Sequence, residues 1–261
     1  MSGSTSSASR SSPSSTRTSA GALAAELEAE LQRHRNPVRA RAEKAYLKSD
    51  LDFIGVPLPA MRQMIRALQK QRPALDRVRL VRLVETLWQR RVFETRMVAV
   101  LVLERFQALL RPADIRLIER LIRESKTWAF VDELAIVVTG PLLERSPQLA
   151  RTLDRWAGDD DFWLRRSAML ALLLPLRRGA GDFPRFARYA DTMLAEREFF
   201  IRKAIGWVLR ETGKRQPDLV YEWLCPRCAM ASGVTVREAV KYLSATQRAE
   251  LLAAYESARR R

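Results

Sequence analysis

Histidine, cysteine and glycine are scarce in this chain of 261 residues, and each scarcity excludes a class of protein. His34 is the single histidine, so a multi-histidine metal centre is excluded and a Ser-His-Asp triad could be built only on that residue. Glycine supplies 10 residues, which is below the usual share of about 7% and disfavours a turn-rich β-fold. The motifs of phosphate loops, dinucleotide-binding folds and α/β-hydrolases are also absent.

The two cysteines, Cys225 and Cys228, form one CPRC motif. A structural zinc site needs four ligands, and no second pair exists to complete one. We therefore interpret both cysteines as structural or incidental rather than as zinc or redox groups, and we expect no metal or organic cofactor.

Long apolar runs are missing as well. The two longest uncharged runs, residues 134–143 and 167–176, each contain a proline and are far shorter than the roughly 20 residues that span a bilayer. We expect no association with a membrane.

What the chain has in excess is positive charge. Lys and Arg total 46 against 30 Asp and Glu, which gives a net charge of +16 at pH 7. Residues 1–20 contribute only Arg10 and Arg17, so +16 less 2 leaves +14 for the rest of the chain. This balance predicts a polyanionic partner.

Composition divides the chain near residue 21. Residues 1–21 are rich in Ser, contain Arg and lack acidic residues, so we predict a disordered tail, although a transit peptide has a similar bias. Residues 22–261 show helical periodicity interrupted by short Pro, Gly or Asp turns, which predicts a single all-α domain.

The helices repeat. Four segments superimpose, and each reads as the second helix of a pair: RRVFETRMVAVLVLE, KTWAFVDELAIVVTG, DDFWLRRSAMLALLL and REFFIRKAIGWVLRE. Their apolar cores align Arg96, Asp132, Arg166 and Lys203, with Arg237 as a fifth member, at separations of 36, 34, 37 and 34 residues. This period predicts an α-solenoid of HEAT-like helix pairs whose second helices line a curved, concave surface.

The aligned column is a cationic track interrupted by one acid, Asp132. Two interpretations are open. Asp132 is either a catalytic carboxylate or an ion-pair partner of Arg166 or Arg96, because Asp–Arg ladders between repeats also fix carboxylates.

Two tryptophans accompany the column. On the fourth segment, Lys203, Trp207 and Arg210 share the face opposite the apolar residues. Trp128 precedes Asp132 by four residues, which places both side chains on one face of a helix. Indoles beside a carboxylate suit stacking on sugars or cationic rings, whereas the alternative for Trp128 is to fill the junction between repeats.

The segments SKTWAFVD, DDDFWLRRSAML, REFFIRKAIGWVLRET and AYLKSDLDFIGVPLP resemble the AlkD-type DNA alkylation repair glycosylases over residues 22–260. That family folds as a C-shaped stack of HEAT-like helix pairs around DNA. The resemblance implies catalytic roles for Asp132, Trp128, Trp207 and Arg166. Periodicity alone does not separate Arg166 from Arg165, because WLRRSAMLALLL is apolar on nearly every face.

The same resemblance matches Tyr46 to a further groove aromatic and Arg210 to a phosphate-contacting arginine. Where the family often reads W-W-D-x-V-D, Thr127 and Ala129 replace the first Trp and the first Asp, which bears on lesion preference. The expected DNA-binding residues are Tyr46, Arg96, Arg165, Lys203, Arg210 and Arg237.

The resemblance implies a monofunctional glycosylase that removes cationic N3- or N7-alkylpurines from duplex DNA as a monomer in the cytoplasm, at the nucleoid. Two other functions remain open: a non-catalytic solenoid that recognises bent or branched DNA, and a protein-binding scaffold, for which +14 is an unusual charge. The first would keep the basic column without needing Asp132.

Overall fold

A computed structural model describes residues 19–72 and 75–260, and nearly all of them lie in helices. Within this part there is no β-strand, only an isolated parallel bridge between Asp52 and Val92. The α-helices are α1 (Ala20–Arg33), α2 (Pro37–Leu47), α3 (Leu58–Gln71), α4 (Arg77–Trp88), α5 (Phe93–Arg105), α6 (Ile115–Ser125), α7 (Trp128–Glu133), α8 (Gly140–Arg145), α9 (Ala150–Ala157), α10 (Phe162–Leu170), α11 (Leu173–Arg177), α12 (Phe183–Met193), α13 (Phe199–Gly213), α14 (Pro217–Leu224), α15 (Gly233–Ala239) and α16 (Ala245–Arg259). A π-helical segment covers Leu134–Thr139, and short 3-10 turns cover Gln107–Leu109, Pro112–Asp114, Pro147–Leu149, Cys225–Arg227 and Val240–Tyr242.

The first helix begins slightly earlier than the predicted end of the Ser/Arg-rich tail. The Ser19 hydroxyl accepts the backbone N–H of Ala22, which caps α1, so Ala20 and Gly21 belong to the helix rather than to the tail. The prediction of disorder for residues 1–18 lies outside the described residues.

The first helix of each pair is amphipathic, as α6 illustrates. Its sequence IRLIERLIRES buries Ile115, Ile118, Leu121 and Ile122, whose spacing of three and four residues forms one apolar face. The intervening charged residues lie on the opposite face. Helices α4, α9, α12 and α14 hold the equivalent position in their pairs.

The second helices are buried on nearly all sides. Helix α5 is buried from Phe93 to Leu103 except at Arg96, and it packs against both α3 and α4. Helix α10 packs against α9 and α13, and α13 packs against α15. The second helices therefore form the continuous inner layer.

Hydrogen bonds between successive first helices repeat with the period of the sequence. The Trp88 indole donates to Glu124 at 2.7 Å across 36 residues, and the Trp156 indole donates to Glu119 at 3.0 Å across 37 residues. This regular stacking confirms the predicted all-α, HEAT-like solenoid.

One inner helix is interrupted part of the way along its length. Helix α7 ends at Glu133 and continues as the π-helical segment, which leads into Gly140 and Pro141. Proline has no N–H to donate and its ring crowds the preceding turn, so a regular α-helix cannot pass through this position. Such π-helical turns commonly occur at functional sites.

Among the helices of residues 19–72 and 75–260, none combines the length and apolarity needed to cross a membrane.

Candidate nucleic-acid interface and active site

The inner helices surround an open cavity of about 470 Å³. Residues from α2 near the beginning of the chain and from α15 near its end line the same cavity, so the stack of repeats curves around it. The lining residues are Tyr46, Trp128, Asp132, Arg166, Phe199, Phe200, Lys203, Trp207, Arg210 and Glu238. We call this cavity the groove.

Asp132 and Arg166, which both line the groove, form a bidentate ion pair. Arg166 Nε lies 2.7 Å from Oδ1 of Asp132, and its Nη2 lies 2.8 Å from Oδ2. Arg166 also donates through Nη1 to the carbonyl of Phe200, and its side chain is only 3% exposed. The two residues lie 34 positions apart on α7 and α10, so this pair is the inter-repeat contact expected of an Asp–Arg ladder.

The pair nevertheless leaves the carboxylate able to act on a ligand. An ionised carboxylate has about four acceptor positions on its two oxygens, and Arg166 occupies two of them. The Asp132 side chain is 14% exposed and lines the groove. Arg166 therefore holds the carboxylate in a fixed orientation toward the groove.

Arg165 points away from the groove. Its Nε and Nη2 donate to the Glu196 carboxylate at 3.0 and 2.8 Å, and Nη1 donates to the carbonyls of Asp159 and Asp160. The structure thus separates the two arginines that periodicity left equivalent. With its donors engaged in this way, Arg165 is not one of the residues that line the groove, and its expected contact with DNA stays a prediction.

Tyr46 and Trp128 form one wall of the groove. Their rings meet edge to face with centroids 6.3 Å apart and an interplanar angle of 87°. Tyr46 is 73% exposed, and Trp128 is half-buried against the core. The Trp128 ring therefore packs at the repeat junction and also lines the groove, while its stacking on a sugar or cationic ring stays a prediction.

A buried glutamate fixes the segment that follows Tyr46. Glu94 at the start of α5 accepts the backbone N–H groups of Ile54, Gly55 and Val56. Burial is the largest influence on this carboxyl and raises its pKa, which the three hydrogen bonds only partly oppose. Gly55 has φ +90° and a Cβ there would lie 2.1 Å from the Asn36 carbonyl oxygen, so only glycine fits.

Helix α13 presents Lys203, Trp207 and Arg210 to the groove, on the face that the periodicity predicted. Lys203 is exposed, whereas Arg210 donates to two carboxylates, Glu238 through Nη1 and Glu211 through Nε at 3.2 Å. The opposite face of α13 is fully buried and carries Ile201, Ala204, Ile205 and Val208.

The two ends of the predicted column do not line the groove. Arg96 donates through Nε to the carbonyl of Arg90, its guanidinium lies 5.1 Å from the centroid of the Trp88 ring, and burial lowers its pKa. Arg237 is exposed on α15, and the neighbouring Glu238 takes the groove position. Of the five aligned residues, the three central ones, Asp132, Arg166 and Lys203, line the groove.

Sequence reasoning missed three groove residues. Phe199 and Phe200 precede Lys203 by four and three residues, so helical spacing from Lys203 could have placed them on the same face. Glu238 gave no such signal, because the column alignment selected the adjacent arginine.

Within the described residues, no group of three or more His, Cys, Asp and Glu side chains is arranged to hold a metal ion. The Cys228 thiol is buried, its pKa is raised by that burial, and its Sγ donates to the Leu251 carbonyl at 3.1 Å. Cys225 is exposed, and both thiols are free.

The chain is similar to known proteins both in sequence and in fold. The sequence model of the family described as "DNA alkylation repair enzyme" matches residues 27–243. No curated protein matches the sequence.

Solved structures with the same fold include the following three. A predicted DNA alkylation repair enzyme from Enterococcus faecalis is similar with a TM-score of 0.73 and 24% identity, covering 81% of this chain and 98% of its own. AlkD2 from Streptococcus mutans has a TM-score of 0.62 and 16% identity, covering 87% of this chain and 100% of its own. The protein smu.31 from Streptococcus mutans UA159 has a TM-score of 0.54 and 20% identity, covering 70% of this chain and 100% of its own.

Proposed function

This chain belongs to the DNA alkylation repair enzyme family, and we propose that it is a DNA glycosylase that hydrolyses the N-glycosidic bond of N3- or N7-alkylated purines in duplex DNA. Family membership gives the broader role, an enzyme of DNA alkylation repair that binds DNA. The reaction, the substrate and the residue roles below are our proposal.

The observation that carries the proposal is the position of the Asp132 carboxylate. Arg166 holds it in a fixed orientation in the groove, which is also lined by the indoles of Trp128 and Trp207. A carboxylate fixed beside aromatic faces stabilises a positive charge that develops next to it, and it needs no reorganisation to do so.

An alkylated purine supplies the other half of the chemistry. N3- or N7-alkylation makes the base cationic, so when the bond between C1′ and the base nitrogen breaks, its electron pair neutralises the base. The sugar is left with oxocarbenium character, which Asp132 and the two indoles stabilise. Water adds to C1′ and loses a proton to the solvent or to Asp132, which orients it.

The groove favours this route over acid-assisted release. Besides Asp132, the only carboxyl that lines the groove within the described residues is Glu238. Burial raises the pKa of Glu238, but the hydrogen bond from Lys241 and the charge of Arg210 outweigh that effect and hold the pKa below its usual value. Glu238 therefore carries no proton at neutral pH to give to a neutral leaving base.

Lys203 and Arg210 are positioned to contact DNA phosphates beside this centre, and Tyr46 extends the aromatic wall along the strand. We expect the protein to act as a monomer on duplex DNA in the cytoplasm, without a metal or organic cofactor. Arg96, Arg165 and Arg237 lie outside the groove and remain candidates for contacts with more distant phosphates.

One observation favours a second candidate function, a solenoid that binds bent or branched DNA without catalysis. The Asp132–Arg166 pair is a complete bidentate bridge between two repeats, and such a bridge serves a purely structural ladder equally well. The two functions differ in their need for Asp132.

The test is to incubate the purified protein with duplex oligonucleotides that carry N7-methylguanine or N3-methyladenine and to quantify the free base. We expect time-dependent release of base and formation of abasic sites. Tight binding of the same duplexes without release would overturn the glycosylase proposal in favour of the binding function.

A further inference from the structure

An acidic residue on a DNA-binding surface needs an explanation, because it repels the phosphates that the surface attracts. Glu238 lines the groove together with Lys203 and Arg210, although the chain as a whole is strongly basic. Its carboxylate adds a uniform cost to the approach of any DNA strand, whatever the sequence or damage.

The Glu238 carboxylate makes direct contacts with two cationic side chains. One carboxylate oxygen accepts from Nη1 of Arg210, and the other lies 2.8 Å from Nζ of Lys241. Lys203 adds a further positive charge nearby. The Glu238 side chain is 16% exposed, so these cations surround it in place of water.

The backbone of α13 makes room for Glu238. Gly206 faces α15, and a Cβ at Gly206 would lie 2.8 Å from the Cβ of Glu238 and 3.1 Å from the Cα of Thr235. Only glycine lets α15 approach this closely. This close contact holds α15 against α13, and Glu238 lines the groove together with Arg210.

Arg210 is consequently engaged before DNA arrives. Its guanidinium donates to Glu238 on one side and to Glu211 on the other, and Glu211 is almost fully buried among Arg177, Arg210 and Lys214. A phosphate that binds Arg210 through Nη1 competes with the more exposed of these two carboxylates, which is Glu238.

We infer that Glu238 competes with DNA phosphates for Arg210, and that this competition sets how readily the protein leaves DNA. The cost of displacing Glu238 is common to damaged and undamaged DNA, so it does not alter the bond-breaking step. It weakens every complex and speeds dissociation, both from undamaged duplex during the search and from the abasic product. The effect on turnover rests on the proposed function, whereas the effect on binding does not.

The decisive variant is Glu238→Gln, which keeps the size of the side chain and removes its charge. We expect it to bind undamaged duplex roughly three- to tenfold more tightly at about 0.15 M salt, with the slope of log K against log salt steeper by about 0.9, the value for one added phosphate contact. Glu238→Met, which keeps the stem against Gly206, should behave in the same way.

The matched control is Glu119→Gln. Glu119 has nearly the same exposure as Glu238, 17% against 16%, and also pairs with two cations, Arg123 and Arg155, but it lies on the first helix of its pair and does not line the groove. Glu119→Gln changes the net charge of the protein by the same amount as Glu238→Gln. Because the charge lies outside the groove, we expect this control to alter DNA affinity by less than about twofold. Tightening of equal size in both variants would overturn the inference and indicate a general charge effect.

Kinetics on alkylated duplex separate the outcomes. With Glu238→Gln we expect the ratio of the multiple-turnover rate to the single-turnover rate of base release to fall severalfold, because product dissociation is retarded. Weaker or unchanged binding of undamaged duplex by both uncharged variants would overturn the inference and show that Glu238 only positions Arg210. Tighter binding without base release from any duplex would instead contradict the proposed glycosylase while leaving the competition intact.

Discussion

Arg166 donates hydrogen bonds to both carboxylate oxygens of Asp132 from the neighbouring repeat, and both residues face the groove. The carboxylate links two repeats and is also held at a fixed angle toward the groove, so the ladder contact is compatible with the proposed catalytic role.

Replacing Asp132 with Asn tests the catalytic role. Asn keeps the shape and one acceptor oxygen for Arg166 but carries no charge to stabilise the sugar cation. We expect DNA affinity within about threefold of wild type and single-turnover base release slower by about 10²- to 10³-fold. Glu133→Gln is the control, because Glu133 neighbours Asp132 but receives hydrogen bonds from Arg62 at 3.0 Å and does not line the groove. Normal excision by Asp132→Asn would reduce Asp132 to a ladder residue.

Lys203 is expected to contact a phosphate. It is exposed in the groove, so Lys203→Ala should weaken binding to all duplex sequences and lower the salt slope by about 0.9. Fluorescence anisotropy at several salt concentrations measures both quantities. Lys70→Ala, an exposed lysine outside the groove, should leave the slope unchanged. Binding that does not depend on salt would contradict the groove model.

Trp207 distinguishes stabilisation of the sugar from recognition of the base in a closed pocket. We expect Trp207→Ala to slow release of N3-methyladenine, and Trp207→Phe to restore much of the rate because it keeps an aromatic face. Bulky N7-alkylguanines should remain substrates of the wild type because the groove is open, and neutral hypoxanthine should be released poorly. Fast release of hypoxanthine would reveal a general acid, and complete exclusion of the bulky adduct would reveal an enclosing pocket.

Glu119 should make stability depend on pH. The hydrogen bond from Arg155 is the main cause that lowers the Glu119 pKa to about 2 from an ordinary 4.5, with Trp156 and Arg123 contributing. Because the folded-state pKa is the lower one, the stabilisation is complete above pH 4.5 and is lost as the pH falls toward 2. We expect denaturant titrations to show that Glu119→Gln removes about 2 kcal/mol of unfolding free energy at pH 6 and progressively less toward pH 3. An equal loss at both pH values would contradict this.

Gly206 should tolerate no side chain. A Cβ there would lie 2.8 Å from the Glu238 Cβ, so Gly206→Ala has to move α15 away from α13 and should lower the unfolding free energy by about 2 kcal/mol. Gly21→Ala in α1 is the control, because its Cβ would meet no atom closer than 4.0 Å, and it should be neutral or stabilising by about 0.5 kcal/mol. Thermal unfolding of both variants provides the measurement.

The fold and the central part of the groove could be predicted because both follow from local periodicity. A helix pair of nearly constant length fixes the repeat, and the apolar face of α13 determines where Lys203, Trp207 and Arg210 point. The buried face of each helix depends on residues within one or two turns of each other, and the repeat depends on the regular spacing of 34 to 37 residues.

The remaining positions depend on contacts between repeats, which periodicity does not describe. Whether Arg165 or Arg166 enters the groove is decided by Glu196 and Asp132, which lie in neighbouring repeats. Glu238 replaces Arg237 because α15 approaches α13 at Gly206.

Both charged pairs of the groove cross a junction between repeats, Asp132 to Arg166 and Arg210 to Glu238. No single repeat therefore contains a complete site. Deleting helices α9 and α10 would remove Arg166 and leave Asp132 without its partner, and deleting α12 and α13 would remove Arg210 and leave Glu238 without its own, although the remaining helix pairs could still stack.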